Sequence, residues 1–149
     1  MNDKAYMEKA LSQAKLAFCE DEVPVGAVIV LDDMVIAESY NSSLKKLDAS
    51  AHAEIEVLRL ASLKVGNYRM LDSTMFVTLE PCMMCCGALA NARVREVVFA
   101  ARDEKSGAVI SNDNLLDSSY LNHKVNYRQG PLASESAKLL KDFFINKRD

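Results

Sequence analysis

Two short apolar runs with a helical segment between them restrict this chain's architecture more than any other feature. Residues 74–79 (TMFVTL) and 94–101 (VREVVFAA) are rich in Val, Phe and Thr and read as strands. Between them lies CMMCCGALAN, residues 82–91, preceded by Pro81. Proline is tolerated at a first helical position, so the spacing predicts a helix opened by Pro81. Strand, helix and strand in succession imply a parallel pair, because parallel strands need a crossover rather than a tight turn.

The remaining elements fit around that unit. Residues 3–20 place Tyr6, Met7, Ala10, Leu11, Ala14, Ala17 and Phe18 at helical spacing, and Pro24 punctuates the exit. Residues 25–31 and 34–39 are short runs rich in Val and Ile. Asp32 and Asp33 between them suit a tight turn, so the pair reads as an antiparallel hairpin. Residues 41–51 are polar and read as a loop, and 52–63 as a helix carrying Ile55 and Leu58. Residues 103–123 read as mostly irregular, 125–128 as a short final strand, and 134–146 as an amphipathic helix with Ala137, Leu140, Phe143 and Phe144 near one face. A mixed sheet covered by helices on both faces follows. With 149 residues and no repeat or Pro/Gly linker, the chain is expected to form a single domain over 1–149.

Composition narrows the setting. The chain is 50% hydrophobic and 26% charged, a globular balance. No apolar run approaches the ~18 residues of a membrane span, and the start, MNDKAYMEKALSQAK, has no apolar secretory region. A cytoplasmic protein with no membrane partner is expected. Eighteen Lys and Arg against 21 Asp and Glu give a net charge of −3. Nucleic-acid binding would therefore need a local basic rim. Its candidates are Lys45, Lys46, Arg69, Arg102, Lys105, Lys124, Arg128, Lys147 and Arg148.

Three of the four cysteines, Cys82, Cys85 and Cys86, crowd into five positions, and the only histidines are His52 and His123. Clustered cysteines in a reducing compartment point to metal binding or reactivity rather than cross-linking. One imidazole and two thiolates make three zinc ligands. Structural zinc takes four protein ligands, whereas catalytic zinc keeps a position for water. His123 as a fourth ligand would close the site, so the count leaves both forms open. Helical spacing also leaves open whether Cys82 pairs with Cys85 or with Cys86, since positions three and four apart share a face. Both motifs open helices, whose N-termini favour thiolates. Glu54, two residues after His52, is placed to move protons while a metal acidifies water. That combination suits replacement of an amino group by oxygen. Glu80 precedes Pro81 and could be a second acid.

The pattern His52-Ala53-Glu54 with Pro81-Cys82-Met83-Met84-Cys85 matches the H-x-E and P-C-x-x-C signature of zinc nucleobase deaminases. Further matches extend from residue 22 to residue 144. They include Glu22-Val23-Pro24-Val25-Gly26-Ala27, Asn41, Tyr68-Arg69, Leu79-Glu80, Ala101-Arg102-Asp103, Lys105, Gly107, Asn122-His123 and Asp142-Phe143-Phe144. On these residues the chain resembles the bacterial tRNA-specific adenosine deaminases of the cytidine/deoxycytidylate deaminase superfamily. Two stretches differ: Ser43 stands where that family often has Pro, and Val109-Ile110-Ser111-Asn112-Asp113 replaces a common Gly-Ser-Leu-Met.

The resemblance implies an α/β protein with a three-layer α/β/α cytidine-deaminase-like fold and a five-stranded mixed sheet. It implies one zinc per chain on His52, Cys82 and Cys85, which selects Cys85 over Cys86, and Glu54 as the proton shuttle, with Glu80 hydrogen-bonding locally at the cysteine-bearing turn. It also implies that Asn41 and Val25 line the base pocket and that Asp103 contacts a flanking nucleotide. The expected activity is deamination of adenosine to inosine at the wobble position of a tRNA anticodon stem-loop by a homodimer. The alternatives are a deaminase of a free base or nucleotide (guanine, cytosine, dCMP) and a zinc module that binds without chemistry.

Overall fold

The computed structural model describes the backbone of residues 2–148 and side chains through Lys147. The Arg148 side chain, one of the rim candidates, therefore lies outside the described residues. The elements run α1 (Asp3–Cys19), β1 (Gly26–Leu31), β2 (Met34–Tyr40), α2 (Ser43–Lys46), α3 (Ala53–Val65), β3 (Thr74–Leu79), α4 (Met83–Asn91), β4 (Glu96–Ala101), a 3-10 turn (Leu115–Asp117), β5 (Asn126–Gln129) and α5 (Ala133–Arg148).

The strands form one five-stranded sheet in the order β2-β1-β3-β4-β5. β1 is antiparallel to both neighbours, while β3–β4 and β4–β5 are parallel. The sheet is mixed, as the β-α-β unit and the hairpin together require. Asp32 and Asp33 both take left-handed backbone conformations (φ 51° and 61°). Two-residue hairpins need that geometry, and Asp tolerates it.

Strand alternation divides the core between the two faces. Val28, Val30, Phe76, Val98 and Ala100 pack beneath Met7 and Ala10 of α1. Ala27, Ile29, Met75, Val77, Val97 and Phe99 pack against Val57 and Ala61 of α3 and Leu89 of α4. Phe18 of α1 meets Phe143 of α5 edge to face at 5.8 Å, which sets α5 beside α1. The architecture is three layers, α/β/α. Among the described residues no helix is long and apolar enough to cross a membrane.

Three local readings change. Pro81 precedes the helix instead of occupying its first turn: Cys82 is the N-cap, with extended backbone, and α4 starts at Met83. His52 is likewise the N-cap of α3, which starts at Ala53. Cap residues sit outside the helical region, and apolar periodicity does not separate them from the first turn. The expected 41–51 loop contains the short helix α2. The buried Glu22 carboxylate accepts from Leu44 N (3.1 Å) and Lys45 N (2.8 Å), satisfying that helix's first amides from a distant segment.

Gly26 is where α1 lies directly on the sheet. A Cβ there would collide with the Ala10 carbonyl oxygen and stand 2.5 Å from the Ala14 nitrogen. Gly26→Ala is expected to lower stability by about 1–3 kcal/mol, the usual cost of overpacking. An unchanged urea midpoint would show that α1 can move away freely.

Candidate active site

β2 and β3 point the same way with β1 between them, so the segments leaving their C-terminal ends emerge at one edge of the sheet. Ligand sites of α/β sheets form outside the carboxyl ends of strands. After β2 the chain makes its 42–51 excursion and returns, with Ser42 N bonded to Ala51 O at 2.9 Å. His52 thereby arrives beside Asn41. After β3, Glu80 and Pro81 lead to Cys82. Two helix N-termini thus face the same space.

Asn41 settles the His52 geometry. The first amide of α3, Ala53 N, donates to Asn41 Oδ1 at 2.7 Å. That bond does the capping, and the His52 ring makes none. An amide N–H can only donate, so the Asn41 oxygen is committed and its NH2 is the group left to offer.

His52 Nδ1 stands 3.6 Å from both Cys82 Sγ and Cys85 Sγ, and all three donor atoms lie within 4.8 Å of one another. Ligands at about 2.3 Å (sulfur) and about 2.0 Å (nitrogen) from a tetrahedral ion are about 3.5 Å apart, so the spacing fits one metal ion. Cys86 points elsewhere: its Sγ approaches Pro81 O at 3.8 Å, and burial pushes its thiol up to about 12. His123 is remote. Its Nε2 bonds Val94 O at 2.8 Å, ahead of β4, whereas the site lies beyond the other end, where Ala101 pairs with Leu79. Among the described residues the cluster has three donors and no fourth.

Electrostatics separate the groups. A hydrogen bond from Cys85 holds the Cys82 thiol down to about 4 against its burial, with His52 helping. Cys85 is displaced upward by the same bond and by burial. The bond to Cys82 raises His52. Burial pushes Glu54 up to about 7, opposed by its own backbone amide, while the Cys82 charge adds to the rise.

These residues border a cavity of about 220 Å³ lined by Val23, Val25, Asn41, His52, Glu54, Leu79, Glu80, Cys82, Asp103 and Ser106. The structure therefore brings Val25, Asn41 and Asp103 to the same space as His52, Glu54 and Cys82, with Cys85 buried beside it. Val23 and Leu79, quoted above only as family matches, also line it, and Ser106 joins them with no local pattern to mark it. Glu80, expected to bond within its own turn, instead reaches the 103–111 segment. It accepts from Asp103 N (3.1 Å), Val109 N (3.1 Å), Ile110 N (2.8 Å), Ser111 N (2.9 Å) and the Ser111 hydroxyl.

The rim candidates are mostly ion-paired. Lys45 pairs with Glu20, Lys46 with Glu56, Arg102 with Glu104, Lys124 with Asp117, Arg128 with Asp3 and Glu96, and Lys147 with Asp21. Arg69 lies over the Tyr68 ring at 5.5 Å. Exposed pairs are weak, about 0–1 kcal/mol, so a phosphate can compete for such cations.

Known proteins are similar to this chain over nearly its whole length. The family model described as "MafB19-like deaminase" matches residues 1–148. The tRNA-specific adenosine deaminase of Haemophilus influenzae is 42% identical over 148 residues, covering 99% of this chain and 86% of that protein. That of Agrobacterium fabrum is 43% identical over 143 residues, covering 96% and 94%. A solved structure from a study of A-to-I editing by tRNA:A34 deaminases at the wobble position superposes with a TM-score of 0.89 at 42% identity, covering 91% of this chain and 99% of that one. With near-complete coverage and this fold, the chain belongs to the tRNA-specific adenosine deaminase family.

Proposed function

We propose that the chain hydrolyses adenosine to inosine at the wobble position of a tRNA anticodon, with one zinc ion held by His52, Cys82 and Cys85. The observation that carries this reading is the clustering of those three donors, two of which line one small cavity together with the buried Glu54. The bound ion supplies Lewis acidity, lowering the pKa of a coordinated water towards ~7. Three protein donors leave room for that water, which argues against a purely structural module.

Glu54 takes the proton that water gives up and delivers it to the departing amino group of adenine, which leaves as ammonia. Burial raises this carboxyl, which favours its taking up a proton before passing it on. The Asn41 NH2 donates to an acceptor on the base, and Val25 supplies an apolar wall. Asp103 meets a nucleotide beside the reacting one. The base must leave its stack to enter such a cavity, so a loop is a better substrate than a duplex. We assign the homodimer contact to the groove between α3 and α4. This groove, of about 1080 Å³, is lined in part by Leu63 and Tyr68, which are 82% and 63% exposed. The setting is the cytoplasm.

Glu54→Gln is expected to keep zinc and fold while lowering turnover by about 10²–10⁴-fold, because the amide has the carboxylate's shape but carries no proton between partners. Near wild-type turnover would remove Glu54 from the mechanism. Metal analysis tests the ligand set: Cys82→Ala and Cys85→Ala should each lose zinc, and Cys86→Ala should retain it. The reverse outcome for the last two would mean that the helix presents the other thiol.

The substrate is tested with an anticodon stem-loop carrying wobble adenosine, alongside free adenosine, guanine, cytosine and dCMP. Inosine from the stem-loop, with affinity falling as salt rises, is the expected result. The net charge of −3 favours the small-substrate alternative, a deaminase of a free base or nucleotide. Equal activity on free adenosine, or salt-insensitive binding, would establish it.

A further inference from the structure

Glu80 sits between the end of β3 and the cysteine-bearing turn, and its side chain is only 2% exposed. Its carboxylate bonds go to the chain that follows β4. Oε2 accepts three consecutive amides, Val109 N, Ile110 N and Ser111 N, at 3.1, 2.8 and 2.9 Å. Oε1 accepts Asp103 N at 3.1 Å and the Ser111 hydroxyl. Gly107 lies against the same carboxylate: a Cβ there would overlap the Glu80 carboxyl carbon and stand 2.5 Å from Oε1. Ala108 N adds a bond to Pro81 O at 2.9 Å. Residues 102–114 contain no helix or strand, so their amides have no ladder to join. A buried amide without an acceptor is costly, and a charged acceptor is the strongest available.

We propose that Glu80 is a positioning residue for recognition of the flanking nucleotide: its carboxylate fixes the 103–111 backbone and thereby sets Asp103 at the mouth of the cavity. The inference rests on the proposed tRNA activity and on the assignment of Asp103 to a flanking nucleotide. Asp103 is prepared for that task from both sides. Glu80 anchors its amide, while Asp103 Oδ1 accepts from Lys105 N and Ser106 N, both at 3.1 Å, which fixes the side chain over its own turn. Ser111 adds the hydroxyl that shares Oε1 with Asp103 N.

Glu80→Gln separates the two oxygens. The Gln carbonyl stays with the three amides at 109–111, which need an acceptor. Its NH2 then replaces Oε1. The Ser111 hydroxyl can turn and accept from it, but Asp103 N–H meets a donor and loses its partner. The variant therefore releases Asp103 while leaving the rest of the segment attached.

The test uses zinc-loaded protein. Wild type and Glu80→Gln are compared on stem-loops with wobble adenosine and either intact neighbours or an abasic site 5′ or 3′ to it. Zinc content should be unchanged, kcat should stay within about twofold, and KM for the intact loop should rise on the order of tenfold, the worth of one hydrogen bond to a charged group. The wild-type penalty for removing the recognised neighbour should shrink in the variant, because the contact has already been weakened. Unchanged KM, or an equal loss of kcat on every loop, overturns the proposal. If Glu80→Gln does not fold, Ser111→Ala, which keeps the carboxylate, should show a smaller effect of the same form, and a uniform loss overturns the proposal equally. Amide hydrogen exchange is read without substrate: Asp103 N–H should lose protection in Glu80→Gln while Ile110 and Ser111 keep theirs, and the opposite order overturns it. Absence of inosine from wild type would sink the proposed function, and the exchange result would then decide whether Glu80 holds Asp103.

Discussion

The common direction of β2 and β3, enforced by the antiparallel β1 between them, is the constraint on which the site depends. It delivers the N-termini of α3 and α4 to one edge of the sheet. His52 and Cys82 are both N-cap residues, and Cys85 stands one turn into α4. An N-cap residue keeps extended backbone, so its side chain is not bound to the helical path. In most helices that side chain caps the first amides. Here Asn41 does so for α3 at 2.7 Å, and the imidazole is released to meet the two sulfurs.

Of the buried glutamates, Glu22, Glu54 and Glu80 differ because their surroundings differ. Glu22 and Glu80 are surrounded by backbone amides of otherwise irregular chain, and each organises a segment that lacks its own ladder: residues 42–46 for one, 103–111 for the other. Glu54 faces the cavity. Burial alone would raise both Glu54 and Glu80. In Glu80 the Ser111 hydroxyl and the amides of Ile110, Ser111 and Asp103 overcome it and hold the carboxyl below its usual range. In Glu54 burial prevails, and the carboxyl rises to about 7. One side-chain type is thus held charged at one position and pushed towards its neutral form at another within one site, through the number of donors each meets.

Much of the fold was legible because it rests on local periodicity. The β-α-β unit, the hairpin at Asp32-Asp33 and the long terminal helices all follow from apolar spacing and turn residues. The misplacements have one cause each. Helix starts at 52 and 82 were read one residue early, since caps share the composition of the turns they begin. The α2 helix escaped notice because its first amides are satisfied by Glu22, more than twenty residues upstream.

By itself, the sequence determined the candidate donors, His52 with a cysteine cluster behind Pro81, and the order of elements that carries them. Spacing along one chain records which side chains share a face of one element, and positions three and four apart share it equally. It therefore left Cys85 and Cys86 open, and His123 as well. The tertiary structure aims Cys85, the cysteine that the family resemblance selects, at His52 and Cys86 into the core, and it bonds His123 to Val94 O at the far end of β4. It also turned Glu80 from a local turn residue into the anchor of a segment some twenty to thirty residues downstream. Burial and hydrogen-bond satisfaction are properties of neighbours in space, and those neighbours exist only once the sheet has brought its crossovers to a common edge.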